Sequence, residues 1–500
     1  MVKIILTADT TLMSDYNSNI FLGFAACAPK FLPKFLYKKL FCPSIPEIQS
    51  QVKYAHCGQR KIQSALLNNG YNENDIAIVR PDKIIDVISQ ETKVLCITTH
   101  DPLGLGPASS TFSDLGGRET YTSYYFRKLI TNPLIRKFNL HVFVGGSGAW
   151  QLTDERITAK MNIDTVVVGE GEKTASELID KAIKNEPLPN FVRGEVVPLE
   201  QIPKIAGPTI DGLIEICRGC GRGCRFCNPT MLNFRSQPLN YVLDEAKINI
   251  QAGNGVTLHA EDVLRYQAKG FIPNEQMVTK LFTEIKKLTP NIGISHIAHA
   301  SIAAKPKLIG EISEILEAGT KKCPFVSAQI GLETGSEKLI EKHMKGKVKP
   351  FKPHDWEEII LQNHENFKEN HWIPVETLIM GLPGERTEDI QKTNELMKKL
   401  EKYNSIIIPL YFVPIGHLQG EGFFKTKDNT SEHWKLLSTT IKHSIKSSYE
   451  ILENHPIPNI KGIKKWGLKK VIKHMDKRIQ PYLKIMDEGI NPIEQKINSA

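Results

Sequence analysis

Four cysteines stand close together near the middle of the chain, because Cys217, Cys220, Cys224 and Cys227 fall within eleven positions. The last three form a C-x3-C-x2-C spacing on a glycine-rich stretch. Thiolates on such a loop can converge on one inorganic cluster, and backbone amides can donate hydrogen bonds to its sulfides. Three protein ligands leave one iron of a four-iron cluster open to a substrate or cofactor. The spacing therefore predicts a [4Fe–4S] cluster with a catalytic role, held by Cys220, Cys224 and Cys227.

Other readings of the cysteines stay open. A zinc knuckle would use all four, although zinc sites normally separate two C-x2-C pairs by roughly a dozen residues. Cys217 is either a fourth cluster ligand or the last residue of a strand, with its side chain turned away. The other five cysteines show no tight spacing and are expected to pack as small hydrophobic side chains. A total of nine, without paired spacing, does not fit a disulfide scaffold.

Composition indicates an ordinary folded protein of two to four domains, with 500 residues, 41% hydrophobic and 24% charged. The net charge is +9, and residues 431–500 hold 13 Lys/Arg against 7 Asp/Glu, which is +6. This basic end suits an acidic protein, a nucleic acid or a phosphate-bearing ligand, or it is an ordinary solvated helical surface. No secretory leader and no apolar run of about 18 residues is found, so we expect a cytoplasmic protein without a membrane span.

The elements that must position the cysteines form two alternating series of strands and helices. The first series predicts a parallel α/β domain over residues 1–185, and prolines then mark 186–208 as a linker. The second series predicts a partial (β/α)6 barrel over 209–418, followed by a basic helical region over 419–500. The fold class is therefore α/β, with a flavodoxin- or Rossmann-like domain before the barrel. The candidate barrel strands are Leu213–Cys217, Val256–His259, Ile294–Ala298, Val326–Gly331, Val375–Met380 and Ile406–Phe412.

The cysteine motif, with Phe226 before its last cysteine and at the end of the first barrel strand, resembles the radical S-adenosylmethionine (SAM) superfamily. The following strand ends match, in order, the places where that family contacts SAM, and Met344-Lys-Gly346-Lys347 resembles part of its ribose-contacting region. Tyr411 is the candidate catalytic side chain by position only, as is Tyr266. The SAM contacts that the resemblance implies are Phe226, Glu261, Asp262, Ser301, Glu333, Ser336, Met380 and Gly381.

Three glycine-rich strand ends mark the first domain, at residues 98–111, 145–147 and 169–172. Such a domain directly before a radical SAM barrel is similar to the cobalamin-binding radical SAM enzymes. In these enzymes the cobalamin tail enters the sheet while the corrin faces the barrel, and small residues let backbone approach the tail. The cobalamin contacts that the resemblance implies are Thr98, Thr99, Asp101, Gly104, Ser109, Ser110, Gly145, Gly146, Ser147, Gly169, Glu170 and Gly171.

The chain departs from the common cobalamin pattern, because it has no D-x-H-x-x-G, whose histidine binds cobalt from below. His100 to Gly104 is a partial match only. The resemblance then implies cobalt without a protein imidazole beneath it, or a domain that no longer binds cobalamin. Methylthiotransferases are a rival family, since they carry a second cluster on three N-terminal cysteines and this chain has Cys27, Cys42 and Cys57. The surroundings of these cysteines do not resemble that family, and no RNA-binding β-domain follows the barrel.

The two resemblances together imply a cobalamin-dependent radical SAM methyltransferase acting on an unactivated sp3 carbon. SAM would yield a 5′-deoxyadenosyl radical, and a second SAM would methylate cobalamin, from which the substrate radical takes the methyl group. The alternatives are cyclisation or rearrangement of a small molecule or lipid with the same cofactors, and a non-enzymatic iron–sulfur or zinc protein that binds RNA or a protein partner.

Residues 6–16, 21–26 and 99–104 look like a methanogen-associated group of these proteins. That group includes enzymes that C-methylate a glutamine of methyl-coenzyme M reductase. We therefore expect a protein substrate, with methyl-coenzyme M reductase as the first candidate, and a flavodoxin- or ferredoxin-type electron donor. Nucleic acid is not the expected partner. The docking surface would include Lys461, Lys464, Lys465, Lys469, Lys470, Lys473, Lys477 and Arg478.

Overall fold

The structure is a computed structural model that describes residues 2–16, 25–30, 33–454 and 463–494. Residues 21–24 of the methanogen-type segment lie outside the described residues, as does Lys461 of the basic end. The chain divides into two compact units, one of Met1–Glu215 with Gln237–Thr257 and one of Ile216–Ser236 with Leu258–Ala500. The helix Leu239–Gln251, which follows the cysteine loop in sequence, thus clusters with the first unit.

The first unit is built on a six-stranded sheet with the order β4-β1-β5-β6-β7-β8. All its described pairings are parallel. Alternate residues of a strand face opposite sides, and in this sheet Ile4 and Leu6 enter one core while Ile5 enters the other. The strands are β1 (Ile4–Ala8), the short pair β2 (Glu47–Ile48) and β3 (Gln51–Val52), β4 (Ile76–Ile78), β5 (Val94–Thr98), β6 (His141–Gly145), β7 (Thr165–Val168) and β8 (Phe191–Arg193).

Helices cover both faces of this sheet, as the burial of both sets of strand residues requires. The α-helices of the first 215 residues are Lys34–Phe41, Cys57–Asn68, Pro107–Gly116, Tyr121–Ile130, Pro133–Lys137, Glu155–Met161 and Glu172–Ile183. A short 3-10 helix, Pro81–Asp86, follows β4. The predicted linker contains β8, whose Phe191 pairs with Val166 of β7, so this proline-flanked segment supplies an edge strand of the sheet.

The later strands form two three-stranded sheets, with orders β13-β12-β9 and β14-β15-β16. Gln329 donates from its backbone N–H to Ser295 O, and Ile297 N–H donates to Gln329 O, which joins β13 to β14. The six strands therefore form the predicted partial barrel. The strands are β9 (Leu213–Glu215), β10 (Cys217–Arg218), β11 (Arg235–Ser236), β12 (Val256–His259), β13 (Ile292–Ile294), β14 (Gln329–Glu333), β15 (Val375–Met380) and β16 (Ile406–Tyr411).

The helices after residue 215 include two long ones at the C-terminal end, Ser431–Asn454 and Ile463–Asp487. No helix in the described ranges is both long enough and apolar enough to cross a membrane. The other α-helices are Leu239–Gln251, Glu275–Leu288, His299–Ala304, Lys307–Leu316, Glu337–His343, Trp356–Glu369 and Thr387–Leu400. The predicted helical C-terminal region is confirmed.

Candidate active site

Three cysteine thiols surround one small cavity at the start of the second unit. Cys220, Cys224 and Cys227 line it together with Gly223, Asn228, Met231, Leu232 and His417. Cys217 is not among the lining residues: it lies in β10, and its buried Sγ is 3.3 Å from Ser236 Oγ. The structure thus separates the three motif cysteines from the fourth.

The cysteine loop is held in place by backbone contacts on several sides. The N–H groups of Cys220 and Gly221 both donate to Met231 O at 2.8 Å, and Arg265 donates from Nη1 to Cys220 O. The segment after the last barrel strand also packs on the loop. Gly416 has a φ of 62°, and a Cβ there would stand 2.1 Å from Cys227 O, so only glycine fits this close approach. This contact brings the exposed His417 to the mouth of the cavity.

Burial and nearby positive charge act in opposite directions on the thiols of the cavity. Burial raises the pKa of Cys224 to about 11 and that of Cys227 to about 12, and it also raises the pKa of Cys220. The positive charges of Lys347 and Arg222 act in the opposite direction on Cys220 and Cys224. The thiols are therefore protonated until an electrophilic metal displaces the proton.

The donor set fits an iron–sulfur cluster, since three thiols line one cavity and two cations lie close enough to offset the charge of thiolates. Within residues 2–16, 25–30, 33–454 and 463–494, no group of three or more His, Cys, Asp or Glu side chains converges closely enough to hold a single metal ion. Cys220, Cys224 and Cys227 instead line a cavity that lies between them.

Two of the predicted SAM residues lie at the end of β12. Glu261 is exposed, and its charge acts on the thiols of Cys220 and Cys227, so it stands near the cluster site. Asp262 is buried, and its Oδ2 accepts from Ser301 Oγ at 2.6 Å and from Arg222 Nη2 at 3.2 Å. Its Oδ1 is buried without a hydrogen-bond partner among the described residues. Oδ1 is thus the carboxylate oxygen of Asp262 to which no described residue donates.

The predicted residues on β14 are bonded within the protein. Glu333 has a φ of 66° at an irregularity in the strand pairing, and its Oε1 accepts from Lys347 Nζ at 2.7 Å. Thr377 donates to the other oxygen at 3.3 Å. Ser336 is the N-cap of the helix Glu337–His343, where its Oγ accepts from Leu339 N–H and donates to Asp389 Oδ1 at 2.5 Å.

The ends of β15 and β16 are covered by the segment that follows them. A Cβ on Gly381 would meet the Phe424 ring at 2.0 Å, and Gly381 N–H donates to Glu385 Oε2 at 2.6 Å. The Tyr411 ring packs edge-on against Phe424, and its hydroxyl accepts from Asn429 Nδ2 at 2.6 Å. Met380, Tyr411 and Tyr266 are buried, whereas Phe226 is half-buried in the cysteine loop.

The predicted cobalamin residues gather at the carboxyl edge of the first sheet, where most have bonding roles. Asp101 Oδ1 accepts from Gly106 N–H at 2.9 Å and from Gln151 Nε2 at 2.7 Å, which shapes the loop around Gly104. Ser147 Oγ lies 2.8 Å from His100 Nδ1, and Glu170 accepts from Val197 N–H. Thr98 and Gly145 end their strands and are paired in register, Ser110 lies on the helix Pro107–Gly116, and Gly171 precedes the helix Glu172–Ile183.

The glycines at this edge are explained by contacts between loops. A Cβ on Gly146 would stand 2.6 Å from Thr99 O, and one on Gly148 would stand 2.2 Å from His100 O. Gly169 would likewise meet Gly194 O at 2.8 Å. The glycines at this edge therefore let loops of the same sheet approach one another closely, and the approach of backbone to a cobalamin tail stays a prediction.

Three buried polar atoms at the same edge have no hydrogen-bond partner among the described residues: Asp9 Oδ2, Thr99 Oγ1 and Ser109 Oγ. Asp9 and Thr99 directly follow β1 and β5. The Cys27 thiol lies near this edge, since its pKa responds to the charge of Asp9 and to the Ser109 hydroxyl. Burial raises the pKa of Asp9 to about 6. These atoms fit a polar ligand, which is the kind of group that the tail of cobalamin presents.

The cysteines of the rival reading are not brought together. Cys27 lies beside Ser109, Cys42 lies among the hydroxyls of Tyr37 and Ser14, and the charge of Cys57 acts on Tyr241. The polar contacts of these three thiols are thus with different side chains.

Sequence reasoning missed several site residues. Arg265 and His417 are not part of the recognised motifs, and Arg222 stands inside the cysteine motif between two glycines. Lys347 belongs to the segment that resembles the ribose-contacting region, but the resemblance implies no SAM contact for it. Asp9 had one visible signal, a carboxylate directly after a buried strand.

Comparison with known proteins identifies the family that the second half of the chain resembles. Residues 214–397 match the Radical SAM superfamily model. An uncharacterized protein of Methanocaldococcus jannaschii is 25% identical over 390 residues, 64% of this chain and 72% of its own length. A tRNA-2-methylthio-N(6)-dimethylallyladenosine synthase of Syntrophus aciditrophicus is 23% identical over 343 residues, 64% of this chain and 66% of its own length.

A solved structure with a similar fold is the radical SAM methyltransferase TsrM from Kitasatospora setae with cobalamin and a [4Fe–4S] cluster bound. The TM-score is 0.53 at 13% identity, with 84% of this chain and 77% of that chain covered. The same enzyme with tryptophan substrate and a SAM analog gives 0.51, also at 13% identity, with 83% and 75% covered.

Residues 214–397 are therefore a radical SAM domain, and the chain is a radical SAM enzyme. A domain of this class implies a [4Fe–4S] cluster and SAM. The C-x3-C-x2-C motif and the cavity lined by its three thiols lie within the matched residues.

Proposed function

We propose that this radical SAM enzyme is a cobalamin-dependent methyltransferase that transfers a methyl group to an unactivated sp3 carbon. The observation that carries the proposal is the fold likeness to a methyltransferase with both cobalamin and cluster bound, over 84% of this chain. That coverage exceeds either compact unit, so it takes in parts of both the six-stranded sheet and the radical SAM domain.

The residues of the second unit have distinct tasks in this proposal. Cys220, Cys224 and Cys227 hold the cluster, and the exposed carboxylate of Glu261 with the free Oδ1 of Asp262 accepts the SAM ammonium. Lys347 donates to Glu333, and its positive charge acts on the Cys224 thiol, where it favours the anionic form of the sulfur. The other predicted SAM contacts contribute by shaping the strand ends that surround the SAM site. When bound, the cofactors supply hydrogen abstraction and the methyl group.

The carboxyl edge of the first sheet holds the cobalamin tail in this proposal. Asp9 and Thr99 offer buried polar atoms that lack partners among the described residues, and Ser109 offers a buried hydroxyl beside the Cys27 thiol. The loops around Gly104 and Ser147 would line the approach. Because Asp101 is bonded to Gly106 and Gln151, its task is to hold the loop.

The proposed substrate is a protein residue, with a glutamine of methyl-coenzyme M reductase as the first to test. The support is the likeness of residues 6–16 and 99–104 to the methanogen-associated group, together with relatives in Methanocaldococcus jannaschii and Methanopyrus kandleri. The helix Ile463–Asp487 presents a surface for a protein, since Trp466 is 58% exposed and the Lys470 ammonium lies 3.9 Å above its ring.

The test is incubation of reconstituted enzyme with methyl-labelled SAM, a low-potential reductant, cobalamin and candidate proteins. Label in a peptide at a carbon, lost in the Cys224→Ala variant, supports the proposal. Deoxyadenosine without transferred label would refute methyl transfer. A protein that gains the absorbance of the cluster but no corrin absorbance after reconstitution would refute the use of cobalamin.

A second candidate, methylthio transfer, is favoured by curated relatives at 23–28% identity that carry this activity in their names. Two of these names give tRNA as the substrate. It would need a second cluster, whereas the polar contacts described for Cys27, Cys42 and Cys57 are with different side chains. Iron analysis separates the candidates, because two clusters would bind about twice the iron of one.

A further inference from the structure

Arg222 lies inside the cysteine motif, yet its side chain is 5% exposed and points into the radical SAM domain. Its Nη1 is 3.0 Å from both Lys347 O and Lys349 O and 3.3 Å from Gly346 O. Its Nη2 is 2.9 Å from Ser301 Oγ and 3.2 Å from Asp262 Oδ2. One guanidinium therefore ties the cysteine loop to the 346–349 loop and to the ends of two barrel elements.

The backbone at the same position is equally constrained. A Cβ on Gly346 would lie 1.7 Å from Arg222 O, so the two loops touch backbone to backbone on one side of Arg222 while the guanidinium bonds them on the other. The Phe271 ring lies 5.3 Å from Arg222 Cζ and covers the guanidinium. Such a site needs a planar group with several donors, which arginine has and lysine lacks.

The same contacts give two predicted SAM residues, Ser301 and Asp262, bonding roles within the protein. Ser301 uses its hydroxyl to bond Asp262 and Arg222, and Asp262 uses Oδ2 for the same pair. Asp262 Oδ1 and Arg222 Nε are the buried polar atoms of this cluster without a partner among the described residues, and Oδ1 is the acceptor of the two. The orientation of this free oxygen is thus set by Arg222.

We propose that Arg222 is a positioning residue that fixes the cysteine loop, and with it the open iron, relative to the SAM-binding oxygen of Asp262. The proposal rests on the radical SAM assignment and is independent of cobalamin and of methyl transfer. Ser301 assists by bonding both members of the pair.

The experiment compares Arg222→Lys and Arg222→Met with Arg225→Met, a matched control whose exposed side chain belongs to the same motif. Each full-length variant is reconstituted anaerobically with iron and sulfide. Iron per chain, the thermal unfolding midpoint, and the EPR spectrum of the dithionite-reduced cluster with and without SAM are then measured.

We expect Arg222→Lys to fold and bind iron, but to need at least about tenfold more SAM than wild type for the SAM-induced change in the EPR spectrum. Arg225→Met should match the wild type in all three measurements. Ser301→Ala, which removes a single hydrogen-bonding group, should give a smaller loss of the same kind.

Arg222→Lys and Arg222→Met variants with wild-type SAM dependence of the EPR spectrum would overturn the proposal. If Arg222→Met loses iron through misfolding, its unfolding midpoint will fall with it, and the decision rests on Arg222→Lys and Ser301→Ala. None of these readouts uses a methyl acceptor, so a failure of the methyltransferase proposal leaves the outcome interpretable.

Discussion

A fully buried carboxylate between two histidines offers a sharp test of the electrostatics of the radical SAM domain. Glu376 on β15 is unexposed, with Oε1 2.8 Å from His299 Nε2 and Oε2 3.0 Å from His364 Nε2. Asn363 donates to His299 Nδ1, so His299 is neutral. His364 Nδ1 faces Ile360 O, an acceptor, so both nitrogens of His364 donate and this ring is a cation.

The pKa directions agree with this assignment. The Glu376 charge raises the pKa of His364 above its usual value despite the opposing effect of burial, whereas burial lowers that of His299. The two rings lower the pKa of Glu376 although burial acts to raise it. Glu376→Gln leaves a buried cation without its anion, and it turns an amide N–H toward a histidine N–H.

Breaking such a buried pair from one side costs about 3–5 kcal/mol. For a domain of this size each kcal/mol moves the midpoint by about 2–4 °C, so Glu376→Gln should unfold roughly 6 to 20 °C below wild type. The contribution of His364 is present below its unfolded pKa of about 6.5 and is lost as pH rises through its higher folded pKa. The contribution of Glu376 is present above about pH 4.3 and is lost as pH falls further.

The assay is thermal unfolding followed by far-ultraviolet circular dichroism at about pH 6 and about pH 9. The matched control is Glu369→Gln, an exposed glutamate at the end of the helix that carries His364. The loss should be larger at the lower pH, and the control should unfold with wild type. A Glu376→Gln midpoint that equals wild type at the lower pH, or a loss that ignores pH, would refute the charge assignment.

Three further outcomes follow from the site. Alanine at any cluster cysteine should abolish the iron and visible absorbance of reconstituted protein, while Cys217→Ala should keep both; iron loss in Cys217→Ala would instead identify a fourth ligand. Gly416→Ala should lower iron per chain at least about twofold because its Cβ meets Cys227 O, and Gly420→Ala, with open space around it, should not. Asp9→Asn should stabilise the cofactor-free protein by up to about 3 kcal/mol above pH 6, because the pKa of Asp9 is about 6 in the folded protein against the ordinary value of 3.8. Urea unfolding measures this gain, which should vanish below about pH 4. A gain independent of pH would contradict a buried charge at Asp9.

Local hydrophobic patterns in the sequence predicted several strands at their observed positions. The barrel strands Val256–His259 and Val375–Met380 lie where their apolar runs predicted them, because a strand buried on both faces leaves a continuous hydrophobic signal. The three-residue strand β8 was predicted as linker, since nothing in so short a run distinguishes it from its proline-rich surroundings. Its place depends on the neighbouring strand β7, to which it bonds.

The sequence by itself determined the cluster, because three thiols that must meet on one loop have to be close in the chain, and their spacing is therefore visible. Only the tertiary structure decided what surrounds them. Arg222 meets Asp262, Ser301 and Lys349 across 40, 79 and 127 positions, and His417 reaches the cavity from the far end of the barrel. Contacts at such separations depend on how strand ends converge in space, and no local pattern of residues records them.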